Sequence, residues 1–76
     1  MNHYDRTIAA LASVDRQAAA TYVDIRALAS GAAERGDAAR STMHVRDAEK
    51  FAATIMTDHA WTLALAELAE QVGATQ

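Results

Sequence analysis

A 76-residue chain with no cysteine, no proline and 51% hydrophobic residues has room for one small domain, and it can hold neither a disulfide nor a thiolate metal site. Alanine, the strongest helix former, supplies about a quarter of the residues, which excludes a disordered chain and favours an all-helical one. The formal net charge is −3; acids and bases balance up to Lys50 and no base comes after it, so there is no basic stripe to track a phosphate backbone.

The first element is expected from about Tyr4 to Ser30. Tyr4, Ile8, Leu11, Val14, Ala18, Tyr22, Ile25 and Ala29 recur at spacings of three and four and form one apolar stripe. Asp5, Arg6, Ser13, Arg16, Gln17 and Asp24 line the other side. Asn2 can cap the start, with Asp5 favourable at the positive end of the helix. Ser30-Gly31 is a plausible stop, because glycine after a helix accepts the left-handed conformation. Residues 31–41, which include Gly31 and Gly36, read as the connection. Either Asp37 or Ser41 can cap the second helix.

The second element runs from there to Thr57. Val45, Ala48, Phe51, Ala52, Ile55 and Met56 face inward, while Arg46, Asp47, Glu49, Lys50 and Thr54 face water. The third runs from Asp58 or His59 to about Val72, with Gly73 as a natural stop and residues 73–76 frayed. Its stripe of Trp61, Leu65, Leu68 and Val72 is rotated by roughly 130° from the preceding one. A helix running straight through Thr57 would set the Asp58 carboxylate within an apolar arc, whereas Asp58 as a new N-cap would accept a backbone N–H. Both arrangements make residues 1–76 a single small helical domain, an antiparallel hairpin with a C-terminal helix. It is either a three-helix bundle or a pair with a long bent second helix. Two apolar faces on so short a chain further predict assembly into a dimeric helical bundle.

No chemistry-bearing pattern is complete. His3, His44 and His59 match no metal-ligand spacing, and His44 and His59 would lie about 22 Å apart along one helix. Ser13, Ser30 and Ser41 fall on a helix surface or at helix ends, where serine is a cap or a solvated hydroxyl. Tyr4 and Tyr22 fall on the apolar stripe, as core residues whose hydroxyls reach the rim. Most arginines adjoin an acid, as in Asp5-Arg6, Asp15-Arg16, Glu34-Arg35 and Arg46-Asp47, which speaks against a DNA-reading helix-turn-helix. Asp58, Glu67 and Glu70 make an acidic surface at the end of the chain, which an antiparallel arrangement would set near Arg6.

The expectation is therefore a non-enzymatic protein–protein interaction module that self-associates through apolar helix faces, with no cofactor and no metal. Its partner is a protein, a second copy first of all, rather than nucleic acid or membrane. The interface residues are Trp61, Leu65, Leu68 and Val72, with Met56 and Leu63 as further candidates. Were Trp61 intrachain core instead, it would pack under the first helix near Tyr4, Ile8 and Leu11. The alternatives are an inhibitor or adaptor of the phage or mobile-element type that docks on a larger complex, and a small helical enzyme or ligand carrier with a site near His59. The absence of cysteine, of an amino-terminal apolar leader and of an uninterrupted apolar span leads to the expectation of a cytoplasmic protein.

Overall fold

The computed structural model describes residues 1–74, and those residues form three helices: α1 (His3–Val14), α2 (Arg16–Glu34) and α3 (Ala38–Ala74). Asn2 caps α1, its Oδ1 accepting the Asp5 N–H at 2.8 Å.

The expected single helix from Tyr4 to Ser30 is broken at Asp15. That residue is extended, with φ −160° and ψ 116°. Its N–H still donates to the Leu11 carbonyl at 2.8 Å, while its side chain accepts the Gln17 N–H at 2.9 Å. One residue thus ends α1 and caps α2. The chain then folds back: the Tyr4 and Tyr22 ring centroids lie 6.0 Å apart, whereas a continuous helix would separate them by about 27 Å. The apolar spacing stays in phase through Asp15, so periodicity cannot detect a one-residue break.

Gly31 is not a stop either. It lies inside α2, where Arg35 Nη1 sits 3.3 Å from the position a Cβ would take. The stop is Gly36, at φ +80°. Its N–H donates to Ala33 O at 3.0 Å and the Asp37 N–H to Ala32 O at 2.9 Å, the paired closure that requires a left-handed residue and so favours glycine. Asp37, rather than Ser41, caps α3 by accepting the Arg40 N–H at 3.0 Å. The connection expected over residues 31–41 is therefore a tight turn at Arg35–Asp37.

The alternatives at Thr57 are resolved in favour of one helix. α3 runs for 37 residues without a break, and Asp58 is not a cap. Gly73 is helical and outside the left-handed region; of the expected frayed end, Thr75 and Gln76 lie outside the described residues.

α2 and the first half of α3 pack antiparallel, and α1 lies against both. The buried cluster is Leu11, Ala18, Ala19, Tyr22, Ala48 and Ala52, with Tyr4, Ile8, Ile25, Phe51 and Ile55 partly buried around it. Small alanines let the helices approach closely, and Leu11 and Tyr22 fill the space between them. The bundle ends near Ile55–His59. From Ala60 to Gly73 every residue of α3 is exposed, so this part projects alone. The result is elongated, 62 × 21 × 19 Å with a radius of gyration of 16.8 Å, against about 11 Å for a compact chain of this length. Among the described residues no helix is long and apolar enough to cross a membrane.

Candidate protein-interaction surface

Two places carry more than packing: a polar knot where the three helices meet, and the projecting half of α3.

The knot is built around Glu49. Tyr22, fully buried, donates its hydroxyl to Glu49 Oε1 at 2.6 Å. Arg26 Nη1 donates to the same carboxylate oxygen and to the Tyr22 hydroxyl, each at 3.2 Å. His3 Nε2 meets Glu49 Oε2 at 2.8 Å, an ion pair when the imidazole is protonated. The Arg26 guanidinium also lies over the Tyr4 ring at 5.1 Å, a cation–π contact. Each helix contributes, so the knot fixes their relative register. Burial raises the Tyr22 hydroxyl above its ordinary pKa, and the bonded carboxylate of Glu49 raises it further. Burial alone would raise Glu49 as well, but hydrogen bonds from Tyr22 and His3 and attraction to His3 and Arg26 outweigh it, leaving the carboxyl below its ordinary value. Charge-assisted bonds to a carboxylate favour its ionised form.

Side-chain spacing alone turns Glu49 toward water, and it instead anchors the knot. The signal that would find it is Tyr22: a buried tyrosine hydroxyl requires an acceptor, and Arg26, one turn on, requires an acid.

The projecting half of α3 presents Trp61, 65% exposed, with Leu65, Leu68 and Val72 each more than half exposed. Their spacing of four, three and four residues is that of the a and d positions of a heptad, which places them on one side of the helix. Trp61 is not under α1, so the core alternative for it fails. The stripe points away from the bundle by roughly 130°, because α3 buries Ala48 and Ala52 on a different face. Met56 and Leu63 do not join it. Met56 lines a groove with Arg6, Thr7 and Leu11 on the bundle side, and Leu63, two residues from Leu65, lies roughly 160° around the helix from it.

The acidic residues divide as well. Asp58 falls on the stripe's side, one turn before Trp61, whereas Glu67 and Glu70 point the other way. Arg6 does not offset them: it lines a groove of the bundle with Ala52, Ala53 and Met56, and the two glutamates project beyond the bundle. His44 and His59 are half-buried at separate points of the same continuous helix, so they do not meet within one chain. Among the described residues no three His, Asp or Glu side chains come together as a metal site would require.

No protein-family model, curated protein or solved structure matches this chain. The functional reading therefore rests on the molecule's own geometry.

Proposed function

We propose that the chain is a non-enzymatic protein–protein interaction module that self-associates through the projecting half of α3. The observation that carries this is the run of large apolar side chains, Trp61, Leu65, Leu68 and Val72, held more than half exposed on one side of a single helix. Contiguous apolar surface of this kind is uncommon on monomers and marks contact sites. Tryptophan is among the residues most enriched in binding hot spots, since one side chain covers a large area and retains an N–H donor. The bundle is the mount: the polar knot and the two tight joints hold the root of α3, and α3 carries the contact surface clear of it. A cytoplasmic location accompanies this reading, in keeping with the cysteine-free sequence.

Sedimentation equilibrium over low to high micromolar protein tests the proposal. The expected result is a reversible, concentration-dependent dimer. A single monomeric species across the range would overturn self-association and leave a foreign protein as the partner. Co-purification of a stoichiometric metal or small molecule would instead favour the ligand-carrier reading near His59.

A further inference from the structure

We infer that the occupant of the α3 stripe is the same stripe of a second copy, lying antiparallel to it, with Trp61 of one chain across from Val72 of the other and Leu65 across from Leu68. This inference rests on the self-association reading above and adds to it the contacting residues and their orientation.

Three observations carry it. The positions flanking the stripe in the heptad are Thr62, Ala64, Ala69 and Gln71. All are uncharged and two are alanine, so an identical surface can approach closely without like-charge repulsion. A foreign helix would be selected by charges at these flanks, and there are none.

Asp58 decides the orientation. It shares the stripe's side one turn before Trp61, and it is exposed. A parallel, in-register pair would set Asp58 directly against its own copy at a seam position, where two like charges would lose solvent. The antiparallel pair moves the two Asp58 residues to opposite ends.

Side-chain volume points the same way. A parallel pair stacks Trp61 on Trp61 and Val72 on Val72, two large groups in one layer and two small ones in another. The antiparallel pair sets large against small in the outer layers and leucine against leucine in the inner ones, which fills space evenly. The seam spans two heptads, so its area falls at the low end of specific interfaces and the dimer should be a reversible one.

The two orientations differ in length. Two 62 Å chains overlapping antiparallel along the projecting helix span about 100 Å, with a bundle at each end. A parallel pair stays near the length of one chain. Small-angle scattering at a concentration where sedimentation shows dimer distinguishes them. The expected maximum dimension is about 100 Å, and Leu65→Asp should return the particle to a monomer near 62 Å with its helicity retained. A dimer that stays near 62 Å overturns the antiparallel arrangement while leaving self-association standing. A dimer of about 100 Å that survives Leu65→Asp places the contact elsewhere and overturns the inference. A monomer at every concentration removes the reading on which it rests. Asp58→Asn gives an independent check: in the antiparallel dimer it leaves the dissociation constant within about twofold, and a tightening of roughly tenfold or more would reveal a parallel seam.

Discussion

The two halves of α3 are both rich in alanine and use their apolar residues in opposite ways. Up to Ile55 the helix buries alanines, Ala48 and Ala52, against α1 and α2 and leaves Arg40, Arg46, Asp47 and Lys50 outside, with Glu49 turned into the knot. From Ala60 to Gly73 the alanines are exposed along with everything else, and the large groups Trp61, Leu65 and Leu68 stand in water. The first half is fixed by tertiary contact. The second is helical because alanine, leucine, glutamate and glutamine are strong helix formers and because it extends a helix already nucleated by the bundle. Burial, rather than hydrophobic content, separates the core half of α3 from its exposed half.

The largest effect should come from breaking the bundle and not the projection. Leu11→Ala removes one of the two largest fully buried side chains among the described residues and should cost about 2–5 kcal/mol of folding stability. Urea unfolding followed by circular dichroism measures it, and the loss should be the same at low and high protein concentration.

Trp61→Ala is the counterpart. It should cost about 2–4 kcal/mol of association and leave the unfolding midpoint of the dilute monomer unchanged. Sedimentation read beside thermal unfolding at two concentrations separates the two effects. A lower midpoint in the dilute monomer would return Trp61 to the core.

Gly36→Ala probes the turn that pairs α2 with α3. At φ +80° a Cβ is strained, and the loss should be about 1–2 kcal/mol, confined to folding stability. No neighbouring atom lies within 4 Å of the added Cβ, so any loss reports backbone conformation and not a clash.

The smallest effect belongs to the polar knot, and it depends on pH. Glu49 is held below its ordinary value of 4.5. As pH falls past 4.5 the unfolded chain takes up the proton first, and the contribution of Glu49 declines until the folded carboxyl also protonates. Stability is therefore expected to fall with acid below that value. Glu49→Gln should flatten that part of the curve while costing about 1 kcal/mol at neutral pH, since the carboxylate is partly solvated. Tyr22, held above 10.0, gives the opposite sign: its contribution is present below that value and declines as pH rises beyond it. Denaturant midpoints across the pH range, wild type against variant, test both.

Much of this fold is legible in the residues. The Asn2 cap follows from residue type, and the inward faces of the first two stripes, except for Met56, which is exposed, and the roughly 130° turn of the face past Thr57 come from side-chain spacing. Spacing does not convey where the backbone stops. Asp15 breaks the helix without disturbing the apolar period, and its only trace is an acidic residue able to cap. Gly31 and Gly36 are alike as letters, and the hydrogen-bond closure of the turn, which spacing does not reveal, selects Gly36. Asp58 misleads in the other direction: a carboxylate in an apolar arc suggests a new helix start only if that arc is buried, and here it faces water. Glu49 escapes a reading by spacing because a charge at the edge of a buried face looks solvent-facing until the partner tyrosine is placed.

The joint at Asp15 has a kinetic consequence. A hairpin closed by a single extended residue, with a turn only three residues long after it, keeps most contacting groups near each other along the chain. Leu11 packs in one cluster with Ala18 and Ala19 across that joint, and the Tyr22–Glu49 bond closes over 27 residues, with His3–Glu49, at 46, the longer closure in the knot. Loop-closure entropy is paid in small instalments. Helical chains with such local connectivity fold in microseconds to milliseconds, before two projecting helices at micromolar concentration have time to find each other. The proposed contact surface is thus displayed only after the bundle that carries it is already made.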